Sequence, residues 1–445
     1  MTREPRRTIA QHVEDALALV GPTGATDLPL EDSVGTVLAA DVVSVLDAPA
    51  FDSSAMDGYA ARSRDVAGAR ADAPVTLHVV GDVAAGDAGD ARAVGPGEAV
   101  RIMTGAPVPA GADVVVPVER TSTGRFTPGA AGSGPETVEI HDASRSNVRA
   151  RGEDVRRGDV VVEAGVVLTA RHVSVAASAG HATLRAHRAP RVAVLSTGSE
   201  LVAPGTAPGP GRIPDSNSVL LSASARAAGA RVVRRGAVGD TAPALVTALD
   251  DLLHAFDGEA PDLLVSTGGV SAGAFDVVRE VLDATTRSGT PWEAAVTDAR
   301  LVAVGMQPGR PQGLARWRGV PWLALPGNPV SAFVSFELFA RPVLDRLRGV
   351  PEPRRALVER VAGEGWSSPA GREQLVLVRH AEPDGATVVP AGRHRGPDDP
   401  PDPARTHGSG SHRVRALAHA DAIVLVGADV TAVEPGDPVR ALLLG

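Results

Sequence analysis

LLVSTGGVSAGAFDVVREVL, residues 263–282, decides the fold. An apolar run ends in Ser266-Thr267 and a Gly268-Gly269 pair, and a helix-like pattern begins near Asp276. A strand ending in two glycines brings its backbone close to whatever lies beside it, because no Cβ intervenes. A helix that follows points unpaired N–H groups at the same spot, which suits an anion.

The flanking sequence repeats the pattern. RVAVLS (191–196) precedes SVLLSASARAAG (218–229), and RVVRRGAV (231–238) precedes PALVTALDDLLHAF (243–256). DLLVST (262–267) leads to DVVREVLDA (276–284), and VPWLALP (320–326) leads to VSAFVSFELFARPVLDRL (330–347). Strands alternating with helices of this length predict a doubly wound parallel α/β sheet. Its strand ends carry small residues: Ser196-Thr197-Gly198-Ser199-Glu200, Ser266-Thr267-Gly268-Gly269-Val270-Ser271 and Pro326-Gly327-Asn328-Pro329. In a parallel sheet these loops share one edge, the usual ligand-binding edge of open α/β folds. Glu200, Asp215, Asp240 and Asp276 stand in the same turns. Mg²⁺ takes one or two carboxylates plus substrate phosphates, so anion-binding turns beside carboxylates point to a metal-bridged phosphate ligand. Asp276 reads equally as a helix cap, and Glu200 as a solvated surface residue.

At 445 residues the chain exceeds one ordinary core, and roughly 150 residues per domain predicts about three. The remainder divides by texture. Residues 7–21 have helical apolar spacing, as does 169–179. VTLHVV, AVRIM, DVVVPVE and TVEI, between 46 and 145, read as a small β domain of hairpins. QLVLVRH, AIVLVG and PVRALLL recur after residue 355, interrupted by a flexible-loop composition at 393–412. The division expected is 1–45 with 146–185, then 46–145, 186–347 and 348–445.

A net charge of −9 argues against a nucleic-acid partner, which needs a clustered basic face. All 44 basic residues are arginine, so oxyanions must be held by arginine, backbone N–H or a metal, and no lysine Schiff base forms. Cysteine is absent, which removes disulfides and thiolate chemistry. The twelve histidines are scattered without an i, i+4 pair on a convincing helix, which argues against zinc. No signal-peptide core and no run of 18 apolar residues occur. A soluble, cytoplasmic protein without membrane contact is expected.

Further motifs carry a resemblance. Asp52-Ser-Ser-Ala-Met-Asp57-Gly58-Tyr59-Ala60, Arg101-Ile-Met-Thr104-Gly105-Ala106-Pro107 and Arg151-Gly152-Glu153-Asp154 precede the Ser-Thr-Gly and Gly-Gly-Val-Ser turns. Gln307-Pro308-Gly309-Arg310-Pro311 and Leu325-Pro326-Gly327-Asn328-Pro329-Val330-Ser331 follow them. In this order they closely resemble the molybdopterin molybdenumtransferases, bacterial counterparts of the gephyrin E region, over nearly the whole chain. The resemblance implies an elongated homodimer of four-domain subunits, with an inserted β domain, a molybdopterin-binding α/β domain and a C-terminal β-barrel. It implies that adenylylated molybdopterin is cleaved with Mg²⁺, molybdate is placed on the dithiolene sulfurs, and AMP leaves. Contacts with molybdopterin adenylyltransferase and acceptor molybdoenzymes accompany that role.

Carried onto this chain, the catalytic carboxylates are Asp57, Asp154, Glu200, Asp240 and Asp276, the last three as metal ligands. Asp57 belongs to the cleft across the dimer. Substrate contacts fall to Thr104, Ser196, Thr197, Gly198, Asp215, Asn217, Gly268, Gly269 and Ser271. Gln307, Arg310, Pro326, Gly327, Asn328 and Ser331 complete that set, with Arg310 and Ser331 suited to molybdate, a tetrahedral dianion. By themselves Met56-Asp57-Gly58 and Gly152-Glu153-Asp154 read as ordinary turns. Many relatives carry lysines where this chain has Gln307, Arg310 and Arg279. A molybdopterin adenylyltransferase has a similar α/β domain but lacks the N-terminal β region and the barrel. A non-catalytic pterin-binding scaffold would not need the five carboxylates.

Overall fold

A computed structural model of the chain describes residues 7–87, 93–126, 136–270, 276–392 and 414–444. Ser271 and the loop expected at 393–412 lie outside the described residues.

The central sheet contains β1 (Arg191–Thr197), β2 (Arg231–Val238), β3 (Leu263–Thr267), β4 (Val296–Ala303), β5 (Pro311–Trp317) and β6 (Val320–Leu325), in the order β2-β1-β3-β6-β5-β4. The strands β2, β1, β3 and β6 are parallel. Four helices accompany them: α1 (Asn217–Ala227), α2 (Ala242–Leu252), α3 (Val277–Leu282) and α4 (Pro329–Ser335). Alternation along β1 explains the double winding. Val192 and Val194 face one layer with Leu221 of α1 and Val330 of α4. Ala193 and Leu195 face the other, with Leu245 and Leu249 of α2 and Val278 and Val281 of α3. Each such buried Val or Leu contributes about 1.5–3 kcal/mol, so both faces are pinned and the register cannot slip.

The doubly wound arrangement expected from the sequence is present, with an addition. The strands β4 and β5 form an antiparallel pair beside β6. They escape a periodicity reading because β4 is half-exposed and carries Asp298 and Arg300 at its bulge, as an edge strand does.

The C-terminal segment closes into a barrel of β7 (Val358–Ala362), β8 (Glu373–His380), β9 (Thr387–Pro390), β10 (Ala422–Val426) and β11 (Pro438–Leu443). Pairing runs β8-β9-β7-β11-β10 and returns from β10 to β8, leaving no open edge in the ring. Met306 and Gln307 pair in parallel with Glu373 and Gln374 of β8, so the barrel is hydrogen-bonded to the loop after β4.

Upstream, five strands between Gly58 and Ile140 make one sheet. Strand Ala25–Pro29 pairs with Thr183–His187, and Ser53–Ser54 with Val148–Arg149. The chain thus leaves and re-enters one layer around that sheet. Helix Ile9–Leu17 begins at a capping box, with Gln11 N donating to Thr8 Oγ1 and Thr8 N to Gln11 Oε1. It buries Ile9, Val13, Ala16 and Leu17 in the α/β core. No helix among the described residues is long and apolar enough to cross a membrane.

The same helix buries His12 edge-on against Phe339, with ring centroids 4.6 Å apart. Burial pushes its imidazole down to about 4, Asp15 opposing and Arg7 adding to the shift. The unfolded chain binds this proton near pH 6.5. Stability from the neutral ring is therefore full above about pH 6.5 and lost as pH falls toward about 4. A depression from 6.5 to about 4 corresponds to about 3 kcal/mol. Relative to wild type, His12→Leu is expected to gain about that much in urea-measured stability between pH 7 and pH 4. A constant difference across the range would contradict a neutral buried His12.

Candidate active site

A cavity of about 810 Å³ opens where β1, β3 and β6 end. Register puts it there: Ser196 pairs with Thr267 and Thr267 with Leu325, so the three loops begin on one line. The volume falls in the upper part of the small-molecule range.

The first loop is built around Asp215. Its buried carboxylate accepts from Ser196 Oγ at 2.6 Å, Ser218 Oγ at 2.5 Å and Ser218 N at 3.1 Å. These bonds fasten the end of β1 to the start of α1, and Arg234 Nη1 donates to Ser218 Oγ from β2. Neutral donors thus satisfy a carboxylate removed from water. Asp215 and the Ser196 hydroxyl are committed to the scaffold, although both line the cavity.

Asn217 bridges to the next loops, its Nδ2 donating to Gly327 O at 2.5 Å and Thr267 Oγ1 at 3.2 Å. Thr267 Oγ1 in turn donates to Pro326 O at 2.8 Å. The glycine pair completes this floor. Gly268 and Gly269 have φ of +95° and +66°, which a side chain disfavours. A Cβ at Gly268 would fall 2.6 Å from Thr197 O and 2.9 Å from its Oγ1. The helix α3 spans only six residues and starts after Asp276, whose side chain makes no capping bond. The glycines' close approach is thus the shaping feature of this turn, and Asp276 stands at the N-cap position that one reading of the sequence gave it, without a side-chain capping bond.

Three further carboxylates stand at the cavity. Asp240 Oδ2 accepts from Ser199 N at 2.6 Å, tying the loop after β2 to that after β1. Glu200 lies against Gly198, where a Cβ would come within 2.8 Å of its oxygens. Asp276 enters from the α3 side. Among the described residues no three His, Cys, Asp or Glu side chains form a ready metal cage.

Arg310 and Arg372 also line the cavity. Gln312 Nε2 donates to Gly309 O at 2.6 Å and to Ser335 Oγ at 2.7 Å, and Val304 N donates to Arg310 O at 2.8 Å. This holds Gln307 and Arg310 at the cavity, with Ser331 buried in the first turn of α4 and Asn328 just before it. Arg372 joins them from the start of β8, its Nε buried without a partner among the described residues. Sequence reading missed Arg372. Its signal was faint: a Gly371-Arg372 turn before an apolar strand, far from the α/β loops.

Asp57, Thr104 and Asp154 do not line the cavity. Asp57 Oδ1 accepts from Thr104 N at 2.7 Å and Thr104 Oγ1 at 2.8 Å, on the exposed side of the N-terminal sheet. Asp154 sits in a turn whose backbone is held by Asp52, which accepts from Arg151 N at 2.7 Å. Arg157 N donates to Asp47 at 2.8 Å and the Arg151 side chain at 2.6 Å, and these bonds, the first chiefly, hold the Asp47 carboxyl below its ordinary range.

Comparison with known proteins agrees with this architecture. Residues 7–180 match the MoeA N-terminal region (domain I and II), and residues 193–346 match a probable molybdopterin binding domain. The chain is 39% identical to molybdopterin molybdenumtransferase 2 of Mycobacterium tuberculosis, over 98% of each chain. It is 30% identical to the molybdopterin molybdenumtransferase of Bacillus subtilis, over 93% of this chain and 89% of that one. The crystal structure of a molybdopterin biosynthesis MoeA protein from Pyrococcus horikoshii superposes with a TM-score of 0.78 at 25% identity, covering 99% of both chains.

Gly268→Ala is expected to cost about 2–4 kcal/mol, adding left-handed strain to the contact with Thr197. Thermal unfolding checks this; a change under about 0.5 kcal/mol would show that the turn does not need glycine.

Proposed function

The chain belongs to the molybdopterin molybdenumtransferase family, and on that premise we propose that the cavity at the ends of β1, β3 and β6 is where its reaction takes place. The activity is transfer of molybdenum to molybdopterin in the synthesis of the molybdenum cofactor. In the reading proposed here the substrate arrives as its adenylate, from a molybdopterin adenylyltransferase, and AMP leaves when the phosphoanhydride is cleaved. One observation carries this: a single cavity is lined by Glu200, Asp240 and Asp276, by Arg310 and Arg372, and by Gly268 and Gly269.

The donor set fits Mg²⁺. Among the described residues the cavity presents carboxylate, hydroxyl and carbonyl oxygens and no histidine, and hard cations select oxygen ligands. One or two of Asp240, Asp276 and Glu200 would hold the ion together with substrate phosphates, since among the described residues no three carboxylates form a cage. Bound there, Mg²⁺ supplies neutralisation of the negative charge on the phosphoanhydride. The chain's own residues do the rest. Backbone at Gly268 and Gly269 lets the substrate approach the sheet edge. Arg310 and Arg372 attract molybdate and orient it, arginine offering a planar fork of donors to an oxyanion. Ser331 adds a hydroxyl donor beside them.

Asp57, Thr104 and Asp154 enter this reading from a second subunit. Lying outside their own chain's cavity, they are proposed to complete the partner's cavity in a homodimer, with the product passing to acceptor molybdoenzymes.

Purified protein given adenylylated molybdopterin, Mg²⁺ and molybdate should release AMP and form active cofactor. Absence of both would overturn the reading. Asp240→Asn should weaken Mg²⁺-dependent turnover while sparing the fold, since the two side chains are nearly isosteric. Arg310→Ala and Arg372→Ala should each raise the molybdate concentration for half-maximal turnover about fivefold to tenfold, as about 1 kcal/mol of screened attraction is lost. Gln307→Lys should lower it, and higher ionic strength should shrink all three effects. Identical molybdate dependence in the wild type and these variants would remove molybdate from this part of the cavity.

A further inference from the structure

Three distant pieces of the chain meet at the loop that carries Gln307 and Arg310. Arg7 bridges to Val304 in parallel, and Gly305 N donates to Arg7 O at 2.8 Å. Glu373 N donates to Gly305 O at 2.8 Å, and Met306 pairs with Glu373 at the start of β8. The loop is thus held between the N-terminal segment and the barrel.

The side chain of Glu373 adds a further tie. Its half-buried carboxylate accepts from the N–H of Ile9, the first residue of helix Ile9–Leu17. Thr8 and Gln11 cap each other's amides there, which leaves Ile9 N among the amides a helix cannot satisfy internally. The positive end of the helix favours an anion at that point. Burial pushes the Glu373 carboxyl above its ordinary range, with Arg440 and the Ile9 N–H opposing. This capping residue follows Arg372 directly in the chain. Arg372 lines the cavity with its Nε buried and without a partner among the described residues, so its placement falls to the backbone at the start of β8.

We propose that Glu373 is a positioning residue for oxyanion binding: by bonding Ile9 N it fixes the start of β8 against the N-terminal helix, and so fixes where Arg372 presents its guanidinium. This rests on the reading of Arg310 and Arg372 as the groups that attract molybdate. Glu373 itself does not line the cavity, so it acts through its neighbour and not on the substrate. The sign of the effect separates positioning from plain charge. A nearby carboxylate weakens an arginine's pull on an anion, so its removal would strengthen molybdate capture if charge alone mattered. Loss of a positioning bond does the opposite.

Glu373→Ala, Glu373→Gln and Arg372→Ala are assayed in the full-length protein with adenylylated molybdopterin, Mg²⁺ and varied molybdate, alongside Tm. The backbone bonds among Arg7, Gly305 and Glu373 do not need the Glu373 side chain, so the fold should persist. Glu373→Ala should raise the molybdate concentration for half-maximal turnover about threefold to fivefold, with kcat and the KM for adenylylated molybdopterin within about twofold of wild type. Glu373→Gln keeps an oxygen acceptor for Ile9 N and should restore most of that loss. On the Arg372→Ala background, Glu373→Ala should add less than about twofold, since the two residues act as one unit. A merely structural role would lower Tm and kcat and leave the molybdate requirement alone, which would overturn the proposal. So would a lowered molybdate requirement, full additivity with Arg372→Ala, or a Gln variant no better than Ala. A response to Arg372→Ala without one to Glu373→Ala would overturn the proposal alone. Unchanged molybdate dependence in Arg372→Ala would overturn the reading of Arg372 as an oxyanion group, and the proposal with it.

Discussion

Three parallel strands hydrogen-bonded in register, with Ser196 beside Thr267 and Thr267 beside Leu325, end on one line, and the functional cavity exists because of that alignment. The register is held from both faces. A one-residue slip of β1 would exchange Val192 and Val194 with Ala193 and Leu195, putting each set against the wrong helices. At the strand ends, Asp215 and Asn217 convert the register into a floor. One ties β1 to α1 through neutral donors, and the other ties the floor to the loop after β6. The glycine pair then removes the side chains that would have filled the space.

Charge is distributed across this floor by different parts of the fold. Carboxylates arrive on the loops of the parallel sheet itself, whereas the cations come from outside it: Arg310 from the loop between β4 and β5, Arg372 from the barrel. Pairing of Met306 and Gln307 with β8 makes the barrel a wall of the site. The cavity is thus lined by both carboxylates and arginines.

The α/β portion was legible because strands and helices alternate regularly; β2 runs as the sequence pattern has it, and so does the strand Thr137–Ile140 of the N-terminal sheet. The antiparallel pair β4 and β5 was not, since an edge strand with Asp298 and Arg300 shows no clean alternation. Helix Ile9–Leu17 was visible as a helix, but not its place in the α/β core, which depends on contacts more than three hundred residues away, such as His12 with Phe339. Within the site, loop residues at strand ends could be read from spacing alone. Arg372 could not, because tertiary closure of the barrel brings it there. Nor could the division among hydroxyls: Ser196 and Thr197 are adjacent and chemically alike, yet one donates to Asp215 and the other has no partner among the described residues.

The central claim is that one cavity gathers nucleotide, metal and oxyanion at the sheet edge. A crystal structure of the protein with AMP, Mg²⁺ and molybdate, with molybdenum located by anomalous scattering, tests it most directly. The account predicts the molybdenum peak beside Arg310 and Arg372, with the nucleotide over Gly268 and Gly269. A molybdenum peak on the N-terminal sheet or the outer face of the barrel, with the strand-end cavity empty, would contradict it.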